Sequence, residues 1–300
     1  MTDPAAAVTA IFLDWLNAET GRTYHFVDAQ DCQLASDGVH KLEVLTAPVF
    51  DAGADAGWMR RCEAVAKQLE ALSDEPLILW VPPTADLPHG DRTEFLHRIV
   101  EAGAALEPGQ RGQVEFPVTL TLKKTSSEAS YVQVTGGLAP HWARLTGRAY
   151  GQYLLDTTPI HRLPEPESRV ADLLEWVALL GNGMKPGASS DFKAEDAWTV
   201  TRLRDVKGCA VIGAPPEMDP TNGTLVRKLL RNALRDAGAR PTTDSGRALV
   251  LLGAFRTIDE ETATIALRGC DPAMYGGLAV ICLVADGRCK SLIEPRRDRL

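Results

Sequence analysis

The chain has 300 residues, of which 45% are apolar, and a formal net charge of -8 at pH 7. That apolar share is enough for a buried core in one large domain or two ordinary ones, and it excludes a chain that is disordered throughout. The acidic balance opposes general attraction to nucleic acid or anionic lipid, because both require clustered Lys and Arg side chains.

The opening residues and the cysteines predict the compartment. Met1-Thr2-Asp3-Pro4 lacks the basic start and apolar core of a secretory signal, and no apolar run approaches the roughly 20 residues that cross a bilayer. The six cysteines are scattered, with no CxxC pair and no Cys/His cluster. We therefore expect a cytoplasmic protein with no membrane partner, no disulfide scaffold and no structural zinc site.

The first half of the chain alternates helix-like and strand-like segments. Apolar residues at helical spacing predict helices over residues 5–18, 57–72 and 92–105. Runs rich in β-branched and aromatic residues predict two hairpins, 23–27 with 39–46 and 114–122 with 131–135. A continuous apolar run over residues 77–81 predicts a strand that is buried on both faces.

Prolines 159, 164 and 166 predict a boundary, because proline removes backbone donors and resists helix formation. We expect a nuclease-like module over residues 1–160 and a second module over 161–300, which could continue the same sheet. After a helix over 168–180 and a loop through Asp191, strands alternate with helices, at 208–213, 225–237, 248–255, 259–267 and 278–285. Such alternation predicts a parallel β-α-β-α-β series with crossover helices, so the fold class is α/β with a mixed central sheet.

Acidic residues occur on three successive predicted elements within the first 45 residues. The predicted order is a helix that bears Glu19, a strand followed by Asp28 and Asp31, and a second strand with Lys41 and Glu43 between apolar neighbours. With this αββ arrangement of carboxylates, the N-terminal half resembles the PD-(D/E)XK nuclease-like superfamily, which has a restriction-endonuclease-like core.

The resemblance implies a metal-dependent phosphodiesterase. It implies that Asp31 or Asp28 as the first acid and Glu43 as the second, with Glu19, bind Mg²⁺ or Mn²⁺, because carboxylate oxygens suit a divalent cation that lowers the pKa of water. The family places a water-positioning lysine two residues after the second acid, where this chain has Leu45. Lys41, on the same strand face as Glu43, would take that role. The departure leaves two readings open, an active nuclease and a degenerate, non-cleaving member, and the partner would be nucleic acid or a phosphorylated ligand.

Two short segments echo each other along the chain. Val81-Pro82-Pro83-Thr84-Ala85-Asp86 and Ala214-Pro215-Pro216-Glu217-Met218-Asp219 each follow an apolar strand and precede a helix. If the echo reflects a repeated β-loop-α unit, Asp86 and Asp219 lie beyond the carboxyl ends of their strands, where open α/β sheets bind ligands. The alternative is that both loops draw on the small set of residues that turns and helix caps prefer.

A further candidate is an anion-binding corner at His141 and Arg144, after Gly136-Gly137. Glycines at a strand end allow close backbone approach, and helix-start amides with His and Arg attract phosphate or carboxylate. A helix start with Pro140 in its first turn and surface arginines explains the same residues without a ligand.

Three functions therefore follow from the sequence. The first is the metal-dependent, nuclease-like phosphodiesterase, with Asp31, Glu43 and Lys41 at its centre. The second is a non-catalytic α/β binding or assembly module, for which a homo-oligomer is one expected form. The third is an enzyme that acts on a small phosphorylated or carboxylated ligand near His141 and Arg144. The plain alternative for Glu43 is a strand residue paired with Lys41 or a cross-strand neighbour.

Overall fold

A computed structural model of the chain describes residues 3–27, 34–51, 55–219, 223–240, 245–254, 256–296 and 300. The chain divides into two compact units. Unit 1 contains Met1–Gly112 and Thr199–Leu300, and unit 2 contains Gln113–Trp198. The boundary predicted after residue 160 falls inside unit 2.

The described residues contain helices and strands in alternation, as an α/β fold requires. The α-helices are α1 (Pro4–Thr20), α2 (Ala56–Leu72), α3 (Thr93–Ala104), α4 (Ala139–Trp142), α5 (Glu167–Gly183), α6 (Gly223–Ala239) and α7 (Arg256–Arg268). The strands are β1 (His25–Phe26), β2 (Leu34–Ser36), β3 (Lys41–Pro48), β4 (Leu77–Trp80), β5 (Arg111–Ser126), β6 (Ser130–Thr135), β7 (Gly151–Asp156), β8 (Ser189–Arg202), β9 (Ala210–Ile212), β10 (Gly246–Leu252), β11 (Val280–Ala285) and β12 (Arg288–Ile293).

The main sheet of unit 1 is mixed, with strand order β1-β2-β3-β10-β11-β12. Strands β3, β10 and β11 are parallel to one another, and the flanking pairs are antiparallel. α1 packs on one face of this sheet through residues such as Phe12 and Leu16, and α6 and α7 pack on the other through residues such as Leu230 and Leu267. Every residue of β11 is buried, as expected for a parallel strand between two helical layers.

The second sheet is also mixed, with strand order β6-β7-β5-β8-β4-β9. In unit 1, β4 pairs in parallel with β9 and antiparallel with the last four residues of β8. In unit 2, β7 pairs antiparallel with β5 and parallel with β6. The core of unit 2 lies between these strands and α5, with Tyr153, Leu174 and Phe192 among its buried residues.

All six predicted helices and several of the strands are confirmed. Six helices occur where helical periodicity predicts them, and Gly21 ends α1 in the left-handed conformation with φ of 69°. The buried strands predicted over 77–81, 248–255 and 278–285 are β4, β10 and β11. These elements have the strongest apolar patterns in the chain, which is why local sequence identifies them.

Both predicted hairpins are wrong in their pairing. β3 pairs with the short β2, whose three residues Leu34-Ala35-Ser36 carry no strong strand signal. β7 lies between β5 and β6, which therefore do not pair with each other. In the first case β2 is the partner of β3 that sequence assigned to residues 23–27. In the second case β7 is the partner of β5 that sequence assigned to residues 131–135.

The C-terminal series and the loop before it also differ from expectation. β10 and β11 are parallel and joined through α7, but β9 pairs with β4 in the other sheet, so β9, β10 and β11 do not form one series. Residues 189–202, of which the first part was predicted as loop, form the long strand β8. β3 pairs with β10, so the first half of the chain shares its sheet with the second.

Candidate functional site

Glu43, the predicted second acid of the metal site, is held by two arginines. Its carboxylate accepts a 2.8 Å hydrogen bond from Arg240 Nη1 and a 2.7 Å hydrogen bond from Arg247 Nε. Arg247 lies directly opposite Glu43 in the β3–β10 register. Burial raises the pKa of Glu43, but the two guanidinium groups outweigh it and hold the pKa below its usual value. Both carboxylate oxygens are therefore engaged by protein donors.

Two further residues of the predicted metal site lie at exposed positions. Lys41 is exposed at the start of β3, and Glu19 is exposed near the end of α1. Asp28 and Asp31 lie outside the described residues. Among the residues that the structure describes, no group of three or more His, Cys, Asp or Glu side chains could hold a metal ion. A Mg²⁺ or Mn²⁺ site at Asp31 thus stays a prediction.

Replacing Glu43 tests its structural role. We expect Glu43→Ala to lower the free energy of unfolding at pH 7 by about 1 to 2 kcal/mol, because two arginines lose their shared partner. Since folding lowers the pKa of Glu43, this contribution is lost as pH falls through the folded-state pKa, so the variant and the wild type converge in acid. Urea denaturation at several pH values measures it, with exposed Glu101→Ala as the control. A constant difference down to pH 2 would contradict the ion-pair role.

The predicted anion corner is exposed and partly paired. His141 lies in α4, and Arg144, just after it, forms a 3.3 Å ion pair with Glu167 at the start of α5. Gly136, with φ of 95°, lies so close to Thr158 that a Cβ atom would be 2.6 Å from the Thr158 backbone nitrogen. That close approach explains the glycine by packing. Anion binding at His141 and Arg144 stays a prediction.

The two echoed loops leave the same edge of the sheet. β4 and β9 are adjacent and parallel, with Trp80 opposite Ile212, so both diproline loops follow at their carboxyl ends. Continued by one residue, the register of β4 and β9 sets Val81 opposite Gly213. The sequence echo aligns Val81 with Ala214, so the two loops are offset by one residue. Asp86 is exposed, forms a 3.5 Å ion pair with Arg61 and lies 3.1 Å from His89 Nε2. The echo thus places both loops at one edge, but the two aspartates are offset.

A denser cluster of charge lies at the carboxyl end of β11, where sequence reasoning placed none. Asp286 and Gly287 form the turn to β12 with φ of 55° and 68°, the positive values of a two-residue hairpin turn. Asp286 is buried, and Arg111 donates to it twice, from Nε to the backbone oxygen at 2.7 Å and from Nη2 to the carboxylate at 2.8 Å. Arg256 lies 3.6 Å from the same carboxylate.

A cavity of about 290 Å³ opens beside this turn, and we call it the basic cavity. Its charged lining consists of Arg256, Arg288, Lys290 and Glu260, and residues of β11 and β12 complete the wall. Lys290 pairs with Glu260 at 3.0 Å. The lining therefore carries three cationic groups against one carboxylate, in a chain that is acidic as a whole.

A second cavity, of about 260 Å³, borders the turn at Gly287, and we call it the Asp14 cavity. Its lining includes Asp14, Trp15, Gly109, Thr201, Arg202 and Gly287. Burial raises the pKa of Asp14, Arg204 opposes the rise and Asp205 adds to it. A carboxyl group with a raised pKa beside a cavity is a common feature of ligand sites.

One sequence signal for this region was available. Asp286-Gly287 directly follows the apolar run of β11, and Asp-Gly between two strands predicts a hairpin turn. The cations gave no signal, because Arg111 and Arg256 are 145 positions apart in the chain and only the fold brings both to Asp286.

Comparison with protein-family models, with curated proteins and with solved structures finds no match for this chain. Within the described ranges, no helix is both long and apolar enough to cross a membrane.

Proposed function

We propose that the protein is an α/β binding module whose basic cavity takes a small anionic ligand with a phosphate or carboxylate group. The observation that carries the proposal is the lining of that cavity, which contains three cationic side chains, Arg256, Arg288 and Lys290, and one carboxylate, Glu260. Guanidinium and ammonium groups are the side chains that bind phosphate and carboxylate most strongly.

The position of the cavity in the fold supports the same conclusion. It lies at the carboxyl end of β11, and open α/β sheets bind their ligands beyond the carboxyl ends of parallel strands. Arg256 is also the first residue of α7, so the partial positive charge of a helix N-terminus adds to the cationic lining. The position in the fold and the positive charge of the lining therefore both favour an anion in the basic cavity.

The size of the cavity limits the ligand. About 290 Å³ is near the lower end of small-molecule sites and suits a compact ligand better than a polymer. The formal charge of -8 also opposes wide contact with a phosphate backbone. A small phosphorylated or carboxylated molecule thus fits better than nucleic acid.

Titration with simple anions tests the proposal. We expect inorganic phosphate, at constant ionic strength, to raise the melting temperature saturably, and acetate to do the same if carboxylates also bind. Lys290→Glu should weaken phosphate binding about tenfold or more, because it reverses one of three cationic groups and frees Glu260 to repel the anion. The control is Lys228→Glu, an equal charge change at an exposed position of α6. Equal phosphate responses in all three proteins would remove the proposed function.

The metal-dependent phosphodiesterase is the competing proposal. The role of Glu43 distinguishes it from the binding module. Its carboxylate would have to leave both Arg240 and Arg247 before it could bind a cation. Calorimetric titration with Mg²⁺ or Mn²⁺ distinguishes the functions: metal uptake that disappears in Glu43→Ala supports the phosphodiesterase, and uptake that is absent or unchanged supports the binding module.

A further inference from the structure

Strand β8 has an outer edge in unit 2 that faces away from β5. β5 runs along one side of β8, where Thr121 donates to Asp191 at 2.7 Å and Lys193 donates to Thr119 at 2.9 Å. β4, the other neighbour of β8, pairs only with residues 199–202. Among the described strands, none lies along the other side of residues 189–195.

Backbone hydrogen bonds show which groups face outward along this edge. The Ala197 amide donates to the Arg162 backbone oxygen at 3.0 Å, on the side away from β5. Backbone groups alternate between the two sides of an antiparallel strand. Asp191, Lys193 and Glu195 share the direction of Ala197, so their N–H and C=O groups form a template for another strand.

An apolar groove follows the same edge. It has a volume of about 710 Å³ and lies between β8 and α5, with Leu173, Trp176 and Phe192 in its lining. Trp176 is 46% exposed, and its ring lies 5.4 Å from that of Phe192. An exposed tryptophan beside an unpartnered strand edge marks an association surface, since both apolar area and backbone bonds remain to be satisfied.

We propose that this edge binds the same edge of a second copy of the chain, as an antiparallel β8–β8 pair with its two-fold axis at Phe192. In this register Asp191 lies opposite Lys193 of the partner subunit, and Lys193 lies opposite Asp191 of the partner subunit. Two opposite-charge pairs form on one face of the joined sheet, and the exposed Trp176 of each copy lies on the other.

Charge complementarity selects a second copy and this register. A shift of the pairing by one register step, which moves the axis to Lys193, sets Lys193 against Lys193 of the partner subunit and Asp191 against Glu195 of the partner subunit. A shift in the other direction sets Asp191 against Asp191 of the partner subunit. Like charges directly opposite each other oppose pairing, and of these three registers only the one centred on Phe192 sets each Asp191 against a Lys193.

Charge reversal and charge exchange test the interface on the full chain. Sedimentation velocity over a concentration series should show a wild-type dimer. Asp191→Lys and Lys193→Asp should each raise the dissociation constant about tenfold or more, because each converts two attractive pairs into repulsive ones. The combined variant, with both substitutions, restores opposite charges and should recover dimerisation. Glu128→Lys, at an exposed position of unit 2, is the matched control and should leave the dimer unchanged.

Three results would overturn the interface. The first is a wild-type protein that stays monomeric at every concentration, as it would if the groove takes a peptide from another protein. The second is a dimer that both single reversals leave intact. The third is a combined variant that keeps the circular dichroism of the wild type but does not recover dimerisation. None of these measurements involves the basic cavity, so the interface and the proposed function fail independently.

Discussion

Arg111→Ala should lower the free energy of unfolding by about 3 kcal/mol, one of the two largest losses that we expect from a single substitution. Arg111 and Asp286 form a buried pair, with side chains 13% and 7% exposed and a nitrogen–oxygen distance of 2.8 Å. Without the guanidinium group, the buried carboxylate keeps Arg256 as a cationic neighbour at 3.6 Å and loses its closest one. The Asp286 backbone oxygen also loses its 2.7 Å donor.

Urea denaturation followed by circular dichroism measures this loss. Arg98→Ala is the control, because Arg98 pairs with Glu94 on the surface of α3 and such a pair contributes only about 0.5 kcal/mol. Arg111→Lys should recover part of the stability at most, since an ammonium group lacks the planar arrangement that aligns Nε with the backbone oxygen and Nη2 with the carboxylate. A loss under 1 kcal/mol for Arg111→Ala would show that the pair does not hold the β11–β12 turn.

The same turn shows what local sequence predicts and what it misses. The buried run of β11 and the Asp-Gly turn both follow from local patterns, since continuous apolar residues and positive φ values each have a clear residue signature. The partner Arg111 does not, because it begins a different strand in a different sheet. Long-range contacts of this kind depend on strand order, which no local pattern specifies.

Glu43 makes the same point for the candidate metal site. The sequence correctly placed it on a strand between buried neighbours, and the alternation of β3 predicted its half-exposed position. The carboxylate forms ion pairs with Arg240 and Arg247, which lie 197 and 204 positions later in the chain. Glu43 was therefore interpreted as a metal ligand because local sequence shows the neighbouring acids but does not show which arginines pair with its carboxylate.

The strand β8 shows why its outer edge was not predicted from sequence. Ser189, Ser190 and Asp191 have low strand propensity, so the segment resembled a continuing loop. Its alternation begins at Phe192, where buried residues face α5 and charged residues face outward. Tertiary packing against α5 and pairing with β5 overrode the local preference.

Asp196→Ala should be the most damaging substitution in unit 2, with an expected loss of about 3 to 4 kcal/mol. The buried carboxylate of Asp196 accepts from the backbone amides of His161 and Arg162 at 2.9 and 2.8 Å. His161 Nδ1 and Trp198 Nε1 also lie 2.8 Å from its Oδ2 atom. Alanine would leave four donors without their acceptor in a site that is closed to most solvent, because Asp196 is only 3% exposed.

The Asp196→Asn substitution tests the roles of the two carboxylate oxygens separately. The amide keeps an oxygen for the backbone donors of His161 and Arg162, but its NH₂ group faces the donors that Oδ2 accepted, so we expect a loss of about half that of alanine. Asp172→Ala, at an exposed position of α5, should change stability by about 0.5 kcal/mol or less. Equal losses for alanine and asparagine would show that the charge of Asp196 matters more than its geometry, and a small loss for both would contradict the role of this carboxylate in joining the 160–162 segment to β8.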